Sequence, residues 1–325
     1  MKYRNHQDFE ISEIGVGCYT LSGAYGAKDP NQIKKIVLKA RDLGVNFFDT
    51  ADSYGESAEQ ILGETLKPFR QEVYLATKVG IQDGIKPNLS PEYIRQACEN
   101  SLSRLKTDYI DLYQIHFDDP HTPVEGTLQI LNELCTEGKI RKFGVGHLPL
   151  KRIKTYKKLG NPFSVLFELS AVARESTEKI LPFCHQNKLA GIAFSVTGRG
   201  ILTGKIREDV TFEPGDIRIL DPLFQRERFQ SALRICKTFQ NIGLDYNKTS
   251  TQVAIAWVLA QPGIRCALTG PSTIPHLEEN IQGSGWPLPQ TALEKMDHVL
   301  KKEKAWLLLK QGKVLEKLLI RDLNK

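Results

Sequence analysis

No apolar run in this chain approaches the ~18 to 20 residues needed to cross a bilayer, and its first ten residues, MKYRNHQDFE, hold no apolar stretch of signal-peptide type. These absences predict a cytoplasmic protein without a membrane partner. The six cysteines, Cys18, Cys98, Cys135, Cys184, Cys236 and Cys266, have neither the paired spacing of a zinc site nor the density of a disulfide framework. Reduced core thiols and no metal are expected. A broad excess of charge is missing too. The formal net charge is +6, but residues 301–325 hold eight Lys/Arg against three Asp/Glu and leave the rest nearly neutral. Such a distribution argues against a nucleic-acid groove across the body. Internal repeats and low-complexity tracts are also absent.

What remains has the balance of a globular protein: 325 residues, 41% hydrophobic and 25% charged, enough for one sizeable core. One domain over residues 1–325 is expected. Short β-branched or aromatic runs recur along it: ISEIGVGC, VNFFDT, EVYLATKV, YIDLYQIH, IRKFGVG, FSVLFELS, LAGIAFSV and RCALTG. Between them lie helix-patterned segments beginning near Pro30, Glu56, Pro91, Val124, Leu150, Ser176, Ser250 and Ile274, several preceded by capping residues such as Asp29, Ser90 and Thr249. Eight alternating units predict a parallel sheet closed into a (β/α)8 barrel of the TIM type. Three additions are expected. YRNHQDFEIS reads as a hairpin capping the barrel bottom, and residues 196–249 as a long insertion after the seventh strand with a helix over about Pro222–Gln240. The segment KAWLLLKQGKVLEKLLIRDLNK reads as an amphipathic tail helix, with Val314, Leu315, Leu318 and Leu319 at helical spacing, docked on the barrel wall.

Polar residues end several of the strand-like runs: Asp49 with Tyr54 in NFFDTADSYG, Lys78 in EVYLATKVG and His116 in DLYQIHFDD. In a parallel barrel these ends share one rim. A tyrosine has a free pKa of about 10 and needs a nearby positive charge to become a good acid at neutral pH, which Lys78 is placed to supply. Asp49 would hold that ammonium, and His116 would donate to a substrate oxygen. Taken singly, an Asp after a strand is often a cap, a Tyr packing and a Lys solvated. Together at matched rim positions, they predict a site that protonates an oxygen as hydride reaches the attached carbon.

The second half of the chain offers a place for a nucleotide. In SVTGRGILTGK, Gly198, Gly200 and Gly204 permit close approach of backbone to a diphosphate, while Arg199 and Lys205 supply charge. TGPSTIPHLEEN places Gly270, Pro271 and Ser272 before a helix whose first amides suit a second phosphate, with Glu279 and Asn280 facing an adenine edge. Without the barrel, the same Gly-Pro-Ser reads as an ordinary turn and cap.

FDTADSYG, ATKVG, DLYQIHFDD, GKIRKFGVG, GRGILTGK, AIAWVLAQP and the final GPS with LEEN resemble the aldo-keto reductase superfamily in order and spacing over nearly the whole chain. That resemblance implies a barrel binding NADP(H), with NAD(H) as the other candidate, and reduction of an aldehyde or ketone to an alcohol. Asp49, Tyr54, Lys78 and His116 match its catalytic tetrad, with Tyr54 as general acid. It further implies that Phe194 stacks on nicotinamide and that Ser195, Val196 and the GRGILTGK loop cover the diphosphate. Ser272, His276, Glu279 and Asn280 would hold the adenosine-phosphate end. Gly17, Cys18, Tyr19 and His147 complete the implied cofactor set, and Tyr19, Tyr54, His116 and Phe117 line the implied substrate pocket, to which the insertion near Phe224 adds an aromatic wall.

Three positions depart from the family pattern. Where the family fixes the carboxamide with a Ser-Asn pair and a Gln, this chain has Gly146, His147 and Leu166. Losing two neutral hydrogen bonds is worth ~1 to 3 kcal/mol in cofactor orientation. Where an Arg often meets the 2′-phosphate stands His276, which weakens the expected preference for NADPH. Two further readings therefore accompany the reductase: a redox-neutral lyase, cyclase or isomerase using the same acid-base groups, and a non-catalytic nucleotide-binding regulatory subunit with the basic tail as its partner-binding feature.

Overall fold

A computed structural model describes residues 1–26, 28–83, 86–303 and 305. Twelve strands lie among these: β1 (Tyr3–His6), β2 (Phe9–Ser12), β3 (Ile14–Gly17), β4 (Phe47–Asp49), β5 (Tyr74–Val79), β6 (Ile81–Gln82), β7 (Lys86–Pro87), β8 (Ile110–Ile115), β9 (Ile140–Gly146), β10 (Ser164–Glu168), β11 (Ala190–Phe194) and β12 (Ile264–Thr269). The helices are α1 (Pro30–Asp42), α2 (Glu56–Leu66), α3 (Pro91–Leu105), α4 (Val124–Thr136), α5 (Leu150–Leu159), α6 (Glu175–Glu178), α7 (Ile180–Gln186), α8 (Arg226–Asp245), α9 (Ser250–Leu259), α10 (Ile274–Ile281) and α11 (Gln290–Lys302). Eight strands, in the order β3-β4-β5-β8-β9-β10-β11-β12, close into a parallel barrel. The fold is the expected (β/α)8 barrel.

Two apolar layers hold it. Inside, Phe47, Ala76, Leu112, Leu166, Ile192, Cys266 and Leu268 fill the barrel, and Phe9 and Ile11 of the β1–β2 hairpin plug its bottom. Outside, Ile36, Phe48, Ile94, Tyr113, Leu131 and Ile153 pack strands against helices. Helix starts follow local chemistry. Asp29 accepts from Asn31 N–H, Ser90 from Tyr93 N–H, and Thr249 forms a reciprocal capping box with Gln252.

Several expectations need correction. ISEIGVGC is not one strand: the chain breaks at Glu13, whose buried carboxylate binds Arg4, Ser284 and the Gly285 amide, so β2 joins the hairpin and β3 the barrel. The helix expected near Ser176 is two short ones, because Lys179 at φ −133° and ψ −52° leaves helical geometry. In the insertion, Pro222–Phe224 forms only a 3₁₀ turn; the helix runs over Arg226–Asp245, with Gln225 extended before it. The antiparallel β6–β7 pair and α11 carried no expectation. Val314, Leu315, Leu318 and Leu319 of the tail lie outside the described residues. Among the described residues, no helix is long and apolar enough to cross a membrane.

Candidate active site

Strand alternation builds the rim. Phe47 and Asp49 on β4, Ala76 and Lys78 on β5, and Leu112 and Gln114 on β8 are each two residues apart, so each pair shares the barrel's inner face. The apolar member sits in the core and the polar member one layer higher. Register completes the arrangement by pairing Lys78 with Gln114 across β5 and β8.

Lys78 Nζ donates to Asp49 Oδ1 at 2.5 Å and to the Thr50 carbonyl at 2.6 Å, while Gln114 Nε2 donates to Asp49 Oδ2 at 3.0 Å. Lys78 is 1% exposed and Asp49 3%, so their charges are paired away from water. Burial raises the Asp49 carboxyl, opposed by the Lys78 ammonium and the Gln114 amide. The role of Gln114 escaped the sequence reading, although its position two residues before His116 in DLYQIH carried the inward period.

His116 follows β8, where its N–H donates to the Val79 carbonyl at 2.8 Å. Its Nδ1 shares a 3.3 Å hydrogen bond with the Ser53 hydroxyl. Burial, then the charge of Lys78, lowers its pKa well below the usual imidazole range, so the ring is neutral. Tyr54, in the loop before α2, meets His116 edge-on at 5.8 Å and Tyr19 at 5.0 Å, with Lys78 Nζ 4.8 Å from its ring centroid. Here the electrostatics correct an expectation. The Tyr54 hydroxyl is held well above 10, first by burial and then by Asp49, with Tyr19, Cys18 and Tyr25 adding to the shift. Tyr54 is a protonated donor, not an acidified one.

The implied substrate residues are brought into contact with one another. Tyr19, Tyr54, His116 and Phe117 form a run of ring contacts that continues through His147 to Phe194. Phe224 instead packs within the insertion, against Phe212 and Phe229.

The implied nucleotide residues divide. Gly17 ends β3, and Gly270 faces the loop after it so closely that a Cβ there would lie 2.9 Å from Thr20 Cγ2. Cys18 and Val196 are buried, which leaves their backbone alone to meet a ligand. Ser195, Gly198, Arg199 and Gly200 all have positive φ, at 54°, 59°, 54° and 94°, giving the tight winding a phosphate cover needs. Arg199 does not supply phosphate charge. Its guanidinium is held between Glu168 at 2.6 Å and Asp221 at 2.7 Å, carboxylates far away in sequence. Lys205 is 55% exposed and bridges to Glu279 at 3.2 Å; Ser272 Oγ and His276 Nδ1 are 3.1 Å apart. Burial and then the field of Lys205 lower the His276 pKa, against Glu279, which raises it, and with a further lowering from Lys28. Asn280 is buried on α10.

Comparison with known proteins decides the family. The family model described as Aldo/keto reductase family matches residues 13–301. The chain belongs to the aldo/keto reductase family. The aldo-keto reductase YhdN of Bacillus subtilis is 34% identical over 298 residues, covering 89% of this chain and 90% of that one. Aldo-keto reductase yakc of Schizosaccharomyces pombe, whose name specifies NADP(+), is 31% identical, with 83% of each chain covered. Among solved structures, glycerol dehydrogenase AKR11B4 from Gluconobacter oxydans superposes with a TM-score of 0.86 at 28% identity, over 94% of this chain and 96% of that one. For an aldo/keto reductase, the cleft fits a nicotinamide dinucleotide unevenly. At the α10 end, the Ser272 hydroxyl, the His276 imidazole and Lys205, together with the close glycine approach at Gly270, are groups that can meet phosphates. At the other end, Gly146 and Leu166 have no side-chain donor for a carboxamide.

Proposed function

We propose that this protein is an NADP(H)-dependent reductase of an aldehyde or ketone, acting as one barrel domain. The observation that carries the reading is the buried Lys78–Asp49–Gln114 network beside a protonated Tyr54 and a neutral His116. Lys205, Ser272 and His276 are the proposed phosphate ligands, with Glu279 holding Lys205 and the Ser195–Gly200 backbone covering the diphosphate. When bound, the cofactor supplies the hydride.

The chain supplies the proton and the orientation. A carbonyl oxygen gains negative charge as hydride arrives, and the resulting alkoxide is more basic than a phenolate, so proton transfer from Tyr54 runs downhill even with its pKa raised. The phenolate left behind lies close to the Lys78 ammonium. Neutral His116 donates a hydrogen bond to the same oxygen without competing for its proton. All six cysteines are free, in keeping with a reducing compartment such as the cytoplasm.

The test is direct. With a panel of aldehydes and ketones, the protein should consume NADPH, and Tyr54→Phe should lower kcat ~10²- to 10⁴-fold while leaving the NADPH Kd unchanged. Turnover that survives in Tyr54→Phe would remove Tyr54 as the acid.

A further inference from the structure

The misfit at the carboxamide end has a visible physical form. His147 follows β9 with φ +49°, in the left-handed region that histidine, asparagine and aspartate enter more often than other non-glycine residues. That geometry turns its imidazole into a slot between two phenyl rings. Phe117 stacks on it at 4.7 Å and 28°, and Phe194 lies against it at 4.8 Å and 34°, with His116 edge-on at 5.5 Å. Leu166, 2% exposed, packs alongside. A Cβ added at Gly146 would come within 3.4 Å of Leu166 Cβ and 3.2 Å of the Ile115 carbonyl, so a serine there fits only if these neighbours give by a few tenths of an ångström. The backbone N–H of His147 is engaged as well, with the Leu166 carbonyl at 3.3 Å.

Phe194 is the ring expected to stack on nicotinamide, and in this structure its aromatic neighbour is His147. We propose that His147 is a specificity residue for the nicotinamide half of the cofactor: its imidazole takes the stacking position beside Phe194 and must swing out before a nicotinamide ring can enter. This rests on the reading that NADP(H) binds here. The imidazole carries no charge to lose in moving, since burial, then Lys78 and Arg199, press its pKa down to about 3. Binding then has two parts. The adenosine and phosphate end docks on Lys205, Ser272 and His276 independently of His147, and only the nicotinamide end competes with the imidazole for Phe194.

The opposite role for His147 is a donor that anchors the carboxamide. Removing the ring separates the two, because a plug weakens binding when present and an anchor strengthens it. We would measure the Kd of NADPH and of 2′,5′-ADP, which lacks nicotinamide, for the wild-type protein, His147→Gly and His147→Asn. Both replacements tolerate positive φ, and thermal unfolding checks that each folds. Each lost aromatic contact is worth a few-fold to about tenfold in binding, so NADPH should tighten about tenfold in both variants while 2′,5′-ADP stays constant. An NADPH Kd that is unchanged or weaker in His147→Gly, or a parallel shift in 2′,5′-ADP, would overturn the proposal. In the unmutated protein, the His147 ring-proton resonances, shifted upfield by the two phenyl rings, should move downfield on saturation with NADPH and stay put with 2′,5′-ADP. Resonances indifferent to NADPH would also overturn it. If neither nucleotide binds to any form, the cofactor reading itself fails together with this one.

Discussion

Burial and the Asp49 carboxylate both favour the protonated form of Tyr54, while burial and Lys78 favour the neutral form of His116, so neither group changes state in the neutral range. For a raised acid the proton is lost only above its elevated pKa, and for a lowered imidazole it is gained only below its depressed one. From about pH 6 to about pH 9 Tyr54 and His116 therefore keep one protonation state, and kcat/KM for carbonyl reduction should show no limb from either of them there. A limb that persists in Asp52→Asn, which removes a nearby carboxyl pushed up to about 7, would show that Tyr54 or His116 titrates in the free enzyme. A carboxyl beside the site behaves differently. Asp52 is pushed up to about 7 by burial and by Glu59, against the lowering charges of Arg104 and Lys78. Between the unfolded value of about 4 and about 7, the native state holds a proton that the unfolded state has lost, so stability falls as pH rises through that window. Asp52→Asn should remove this loss, raising Tm at about pH 8 and leaving it unchanged at about pH 4. An equal shift at both values would point to packing instead of ionisation.

Helices approach one another and the sheet where the sequence permits, and α2 shows the constraint clearly. Gly63 lies against the Leu105 carbonyl at the end of α3, with no room for a Cβ between them. Gly63→Ala should cost ~1 to 3 kcal/mol of stability in denaturant titration, despite its better helix propensity; a stabilised variant would contradict the close approach. At this scale the sequence was most readable. The short β-branched or aromatic runs from VNFFDT to RCALTG and the caps at Asp29, Ser90 and Thr249 are local signals, and they located the barrel strands and most helix starts. What escaped depends on partners distant in the chain. Glu13 breaks a continuous apolar run because it binds Arg4 and Ser284, and Arg199 turns from phosphate to Glu168 and Asp221. No local pattern encodes such pairings. The rim residues Asp49, Lys78 and His116 were legible because strand ends in a barrel share a rim; the raised Tyr54 hydroxyl was not, since it depends on how far the Asp49–Lys78 pair is buried. Gly146, His147 and Leu166 were readable as departures, but the ring slot between Phe117 and Phe194 needed coordinates.

Across the whole molecule, two groups of charges differ in their surroundings. The barrel mouth is nearly neutral inside, with Lys78 cancelled by Asp49 and both histidines uncharged. Farther along, Lys205 is 55% exposed and paired with Glu279, beside Ser272 and a His276 imidazole whose pKa is lowered by burial and then by Lys205. The three departures at positions 146, 147 and 166 fall at the junction of β9 and β10 with the barrel mouth, where His147 meets His116 and Phe194. Whether hydride crosses that junction is the central claim. The most direct measurement is a single-turnover reaction of the protein with a reducible aldehyde and NADPH carrying two deuterium atoms at the nicotinamide C4, so that hydride from either face is labelled, followed by mass analysis of the product. The proposed function predicts an alcohol with one deuterium on the former carbonyl carbon and loss of reduced cofactor in equal amount; a product formed without deuterium, or no loss of NADPH with any carbonyl tested, would contradict it.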